Sequence, residues 1–369
     1  MLPTAHIRKK QVTLSMSSRI STFVLLAILT LFVGGCDDAP LPPPKPPVKI
    51  AIVNCGQRFY PLIKMFKQRL SDLDHLEGRD VIFLYDGPIA TDQLRERLQY
   101  LKTQDIGLLF TITTPVTRVA HEIFKDTNVP IVFGPVFSPV DDGLTSSLTR
   151  PDKNMTGVMI RGNTARAFGF LIESMPSLKS LSVPFPCNES TSRLSIEDLR
   201  EVAEKHNVTV VTTNIKTEAD LNDYLLHLPK ETEAIWLPHS PFIMNHLYQI
   251  TSAANAKKIP VASATSQFNY GTMLAYGPDL VNLGKQTGRL AHKILEGEPV
   301  SNLPVEQCEY YLSVNLEVAH QAGVTIPKAI VWQASEITYK LVDSTRQVSE
   351  PPVQQPKKNN TSNTLGHDN

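Results

Sequence analysis

The sequence predicts an α/β fold made of two doubly wound parallel-sheet lobes joined by a hinge, and three observations carry that prediction. From Val48 onward, short apolar runs alternate with amphipathic segments, the signature of βαβ units with parallel strands. The alternation stops near Arg150-Pro151 and then restarts, which favours two blocks of similar size over one very wide sheet. The length, 369 residues, exceeds what a single small core requires.

The elements follow in order. Residues 48–53 form an apolar run short enough for a buried strand, and 59–73 place apolar side chains at helical three-to-four spacing. A strand at 81–85 precedes a helix at 91–101, with Thr91 as its N-cap. Strand 106–112, helix 116–125 and strand 129–133 complete the first block. The second block has helix 164–175, strand 180–183, helix 192–206, strand 208–212 and helix 218–226. Strand 234–237, helix 242–255 and strand 259–262 close it.

The N-terminus has its own logic. Arg19 precedes an apolar run over 22–33, too short to span a bilayer but suited to a signal peptide. Val33-Gly34-Gly35-Cys36 resembles a bacterial lipobox, in which small residues fit a narrow peptidase site and the Cys36 thiol accepts lipid. Either Met1 or Met16 can be the start. Residues 1–35 are thus expected to be a lipoprotein signal peptide, and 36–47 a lipidated Cys with a Pro-rich, extended tether. Residues 341–369 lack apolar periodicity and are expected to be a disordered tail. The expected location is the bacterial cell envelope, lipid-anchored and facing the periplasm or exterior.

Lys+Arg and Asp+Glu both number 36. The zero net charge removes the electrostatic basis for nucleic-acid binding. With Cys36 lipidated, Cys55, Cys187 and Cys308 allow at most one disulfide. No Cys/His spacing resembles a metal site, and no cofactor is expected. No nucleophile elbow, P-loop, dinucleotide Gly pattern or carboxylate pair is present. A Cys187–His239 pair is the one catalytic alternative, and the expectation is that the chain is not an enzyme.

Open α/β sheets bind ligands beyond the carboxyl ends of their strands. The strand-end loops therefore nominate Asn54, Cys55, Thr113, Thr114, Gly134 and Pro135 in the first block. In the second they nominate Ser192, His239, Ser240, Ser263 and Tyr276. Thr113-Thr114-Pro115 ahead of a helix either offers free N–H groups to a carboxylate or simply caps the helix. His239 either donates to a ligand or faces solvent. Phe59, Tyr60, Phe137 and Phe268 either line an apolar pocket or belong to the core.

Four stretches resemble the substrate-binding proteins of ABC transporters, in the group with tryptophan- and tyrosine-binding members. They are the Thr113-Thr114-Pro115 turn, the segment 129–140 ending in Ser138-Pro139-Val140, Asn154-Met155-Thr156-Gly157-Val158, and the helix carrying Leu283-Gly284-Lys285-Gln286-Thr287-Gly288. The resemblance implies type I periplasmic-binding-protein lobes that close on a small molecule. It implies a first lobe at 48–156 plus about 273–340 and a second at 157–272, with crossovers near Asn154 and at 271–276. The implied partners are a small-molecule ligand, amino-acid-like or a small carboxylate, and an ABC permease; a membrane sensor protein is the alternative. The chain departs from the family where Pro238-His239-Ser240-Pro241 replaces a loop that carries Asp. Losing that ammonium partner predicts a ligand with an acidic or neutral polar head.

Overall fold

A computed structural model describes residues 46–151, 154–265 and 271–339. Thirteen strands among these residues form two sheets, each with helices on both faces.

The first sheet contains β1 (Val48–Val53), β2 (Val81–Leu84), β3 (Leu108–Thr111), β4 (Ile131–Val136), β5 (Met155–Met159) and the short β11 (Glu306–Gln307). Their order is β2-β1-β3-β4-β5-β11, all parallel. The second sheet runs β7 (Thr209–Asn214), β6 (Ser180–Phe185), β8 (Ala234–Leu237), β9 (Val261–Ser263), β10 (Leu274–Pro278), β12 (Tyr310–Asn315) and β13 (Glu336–Thr338). Only its β10–β12 pair is antiparallel. The first five strands of each lobe thus share one order, 2-1-3-4-5, which reverses direction between the lobe's first and third strands.

Strand alternation explains why the apolar runs are continuous. In β1, Ile50 and Ile52 face a cluster with Phe66, Leu70 and Leu290, while Ala51 and Val53 face one with Leu98, Ala120 and Phe124. In β8, Ala234 and Trp236 face one cluster and Ile235 and Leu237 the other. A parallel sheet covered on both faces needs apolar residues at every position.

Helices α1 (Tyr60–Asp72), α2 (Leu94–Lys102) and α3 (Thr114–Phe124) cover the first sheet. The second carries α4 (Thr164–Ser174), α5 (Ser190–Lys205), α6 (Glu218–Leu226), α7 (Pro241–Asn245) and α8 (Leu247–Ala256). The single helix expected at 242–255 is two, broken at His246, whose imidazole Nδ1 lies 2.9 Å from the Phe242 carbonyl. Helix α9 (Leu280–Leu295) returns to the first lobe and lies parallel to α1. Two glycines permit that close packing. A Cβ on Gly284 would stand 2.4 Å from the Leu62 carbonyl oxygen, and one on Gly288 would stand 2.8 Å from Arg69 Cβ. The short α10 (Leu316–Gln321) and α11 (Lys328–Val331) pack on the second sheet.

The chain passes between sheets three times: over 160–163, at Asp279, and at Cys308-Glu309. The expected crossovers near Asn154 and at 271–276 are therefore displaced. Asn154 precedes β5, where its amide donates to the Val129 carbonyl at 2.5 Å. The allotment of about 273–340 to the first lobe also needs correction. β10, β12 and β13 pair in the second sheet, and only 280–307 returns to the first. The apolar face of β12, with Leu312 and Val314, is buried in the second lobe's core. Cys36, the tether through Lys45, and the tail at 341–369 lie outside the described residues. Among the described residues no helix is long and apolar enough to cross a membrane.

Candidate functional site

Because both lobes have the same strand order, each has a crevice where its order reverses. The two crevices face one another across a cleft holding about 670 Å³ of empty space, counting its mouth. The first lobe contributes Arg58 and Phe59 after β1, Thr113-Thr114-Pro115 after β3, and Pro135 and Phe137 at the end of β4. The second contributes Thr191 after β6, His239-Ser240-Pro241 after β8, Met244, and Thr265 after β9. Ile160, Pro278 and Leu280, at two of the crossings, close the remaining side. The walls are mainly apolar, with a few polar groups converging, as in small-molecule sites generally.

Each polar group is held by its backbone. Thr113 sits between β3 and α3 with φ 85° and ψ 153°, a strained conformation for a β-branched residue, of the kind that concentrates at binding sites. Its side chain makes no capping bond, so of the two readings of this turn, capping by Thr113 is not what the structure has. Thr114 is buried, and its hydroxyl accepts from the Phe137 N–H at 3.1 Å. Its role is to fix Phe137. The first turn of α3, which carries Pro115, lies at the cleft, and the free N–H groups of its other residues suit an anionic ligand group.

His239 is not a solvent-facing loop residue. It is 7% exposed, its ring lies 5.0 Å from the Phe137 ring across the cleft, and its N–H donates to the Ser195 hydroxyl at 3.2 Å. Burial pushes its pKa down to about 4, against the opposing effects of Asp198 and the Ala264 carbonyl. The imidazole is therefore neutral at pH 7, and its Nε2 is buried with no hydrogen-bond partner. Ser240 caps α7 by accepting from the Ile243 N–H at 3.1 Å.

Glu189, which sequence reasoning missed, stands beside Ser240. One oxygen accepts from the Phe242 N–H at 3.2 Å, and the other is buried without a hydrogen-bond partner. Burial raises its pKa, while the Ser240 hydroxyl, the Phe242 N–H and the Arg58 charge pull it back. Arg58 lies on the opposite lobe, its guanidinium 4.8 Å from the Phe59 ring centroid.

Of the eleven residues nominated from sequence, Thr113, Thr114, Pro135, His239 and Ser240 line the cleft. The other six do not. Asn54 is fully buried and donates to the Gly56 carbonyl at 2.6 Å, and Cys55 packs on the first-lobe core. Gly134 is buried against Thr287. Ser192 is fully buried, and the Ser263 hydroxyl lies 2.6 Å from that of Thr265, which takes its place at the cleft. Tyr276 packs between Phe170 and Tyr310. Phe59 and Phe137 line the cleft, Tyr60 is exposed, and Phe268 lies outside the described residues. Cys187 is exposed while His239 is buried on Phe137, which leaves the Cys–His alternative without support.

The profile of the ABC transporter substrate binding protein family matches residues 55–338. A tyrosine-binding protein of Clostridioides difficile (strain R20291) is 29% identical over 199 residues, 54% of this chain. The match spans 57% of that relative's length. An uncharacterised protein of Rickettsia prowazekii is 23% identical over 302 residues, covering 80% of this chain and 89% of the relative. Among solved structures, a domain from Streptococcus pneumoniae in complex with L-Trp superposes with TM-score 0.72 at 19% identity, covering 79% of this chain and all of the other. A ligand-free, open substrate binding protein from Clostridium difficile gives TM-score 0.64 at 24% identity, covering 79% and 99%. At these identities the structural likeness concerns the fold.

Proposed function

The chain belongs to the ABC transporter substrate binding protein family, and from that premise we propose that it is a lipid-anchored solute receptor of an uptake system, closing on an amino acid with an apolar, aromatic side chain. The observation that carries this reading is a pair of opposite charges: Arg58 on the wall of a largely apolar cleft, and Glu189 partly buried behind the cleft residue Ser240, close enough to feel the Arg58 charge. A zwitterion meets both: its carboxylate faces Arg58 and the first turn of α3, and its ammonium faces the buried oxygen of Glu189. Phe59, Phe137, Met244 and Leu280 offer the apolar wall. The sequence-based expectation of an acidic or neutral head considered only the loop after β8. Glu189, from the loop after β6, supplies a carboxylate at the same place. The tyrosine-binding relative and the L-Trp complex support this class of ligand.

Calorimetry on the purified chain tests the reading with L-tryptophan, L-tyrosine and 3-(indol-3-yl)propionate, which lacks the ammonium group. The aromatic amino acids are expected to bind, and the deaminated analogue to bind far more weakly. Glu189→Gln should weaken amino-acid binding by about 1.5–3 kcal/mol, the range for a hydrogen bond to a charged group, and leave the analogue unchanged. If the analogue binds as tightly as the amino acid, or Glu189→Gln has no effect, the zwitterion reading fails. Small carboxylates then become the ligand class.

A further inference from the structure

The parallel packing of α1 and α9 brings two helix C-termini to the same end of the first lobe. His75 follows the last turn of α1, its N–H donating to the Leu70 carbonyl at 2.9 Å. His292 lies in the last turn of α9, and Glu296, one turn on, is that helix's C-cap. These positions place His75 Nε2 2.9 Å from His292 Nδ1 and 3.6 Å from Glu296 Oε1. The His75 side chain is 12% exposed, whereas that of Glu296 is 63% exposed and free to swing.

We propose that His75, His292 and Glu296 form a binding site for one first-row divalent cation of the zinc class. Metal–nitrogen bonds of about 2.05 Å put two adjacent imidazole nitrogens ~2.9 Å apart at a right angle and ~3.3 Å apart in a tetrahedron. The observed 2.9 Å contact is a hydrogen bond between the two rings, so the ion takes the place of its proton and the rings turn until both lone pairs meet at it. Two imidazoles and one carboxylate are a borderline donor set, which favours Zn²⁺, Ni²⁺ or Co²⁺ over Mg²⁺ or Ca²⁺. The surroundings favour positive charge. Each helix C-terminus carries roughly half a negative charge on its free carbonyls, and Asp74 and Asp80 add their carboxylates near His75.

The site is separate from the cleft. Phe59, just before α1, and Leu280, the first residue of α9, both line the cleft, so the cluster lies at the far ends of the two helices, about 20 Å away. Its two histidines are 217 residues apart in sequence, so no spacing motif could announce it. A bound ion would fasten α9, which returns from the second lobe, to α1 of the first.

The test is a titration of the full chain, stripped with EDTA, with ZnCl₂ by calorimetry and with CoCl₂ by visible absorption. One ion per chain should bind, with a Co²⁺ d–d band, a rise in Tm, and no competition from excess Mg²⁺. His75→Ala and His292→Ala should each abolish the band. Glu296→Gln, at an exposed position that folding tolerates, should weaken binding by about tenfold or more, as loss of one of three ligands requires. Circular dichroism melts verify that each variant folds. Absence of a one-to-one Zn²⁺ isotherm in the folded wild type would overturn the proposal, as would a Co²⁺ band that survives in all three variants, which would locate the ion elsewhere.

Discussion

His239 makes the pH dependence of stability calculable. The residue is buried against Phe137, and burial lowers its pKa from 6.5 to about 4. Between those values the unfolded chain binds a proton that the folded chain refuses, so stability rises with pH in this window. The contribution is complete above pH 6.5 and is lost progressively as pH falls towards 4. The gap, at about 1.4 kcal/mol per pH unit, amounts to about 3 kcal/mol. Other carboxylates titrate over part of the same range, so the informative quantity is a difference between two proteins. Urea unfolding of wild type and His239→Gln should be followed at pH 7, 6, 5 and 4, with the slopes required to agree. Wild type should lose about 3 kcal/mol more than the variant between pH 7 and 4, most of it below pH 6. Parallel stability curves for the two proteins would refute the assignment of a buried neutral imidazole at the cleft.

Gly284→Ala should destabilise the protein by about 1–3 kcal/mol in a urea titration, because the new Cβ meets Leu62 and Phe66 backbone and cannot be accommodated by a side-chain rotation. Gly169→Ala should have the opposite sign, stabilising by up to about 1 kcal/mol, since Gly169 lies within α4 with nothing within 4 Å of its would-be Cβ. Cys36→Ser should move the protein from the membrane fraction to the soluble fraction or leave its signal uncleaved; normal processing with retention at the membrane would refute lipid anchoring.

The fold was legible because both sheets are parallel but for the β10–β12 pair, and are covered on both faces, which writes most strands as short apolar runs between amphipathic helices. What failed to show was allegiance. The alternation of β10, α9, β11 and β12 looks the same whichever sheet receives each element, and the chain changes lobe three times within 160–309. The site was half legible for a related reason. Strand-end position pointed to Thr113, Thr114, Pro135, His239 and Ser240, which line the cleft. It could not distinguish a residue pointing into the cleft from one buried and bonded within its own turn, as Asn54 is. Glu189 escaped notice because Ser192 was the one residue nominated beyond β6. The usable signal was its place one residue before α5, on the loop after β6.

The joints between the lobes differ in kind at the two ends of the cleft. At the crossings, Arg161 reaches both lobes at once. Its guanidinium makes a bidentate bond to Asp198 at 2.7 and 3.0 Å and pairs with Asp141. Asn163 donates to the Ala264 and Tyr276 carbonyls at 2.6 Å each, and the Tyr310 hydroxyl donates to the Arg161 carbonyl at 3.2 Å. Charged, bidentate and partly buried contacts of this sort resist separation. Away from the crossings the two lobes meet in the Phe137–His239 ring contact and a 3.5 Å approach of the Ser190 hydroxyl to Asp142. An aromatic contact is worth about 0.5–1.5 kcal/mol, and a hydrogen bond at 3.5 Å adds little. The hinge end is thus pinned, while closure away from it rests on a small margin. A ligand that bridges Arg58 on one lobe and Glu189 on the other contributes interaction energy only when the lobes are together. That differential contact, rather than affinity for either lobe alone, is what can shift the population towards the closed form.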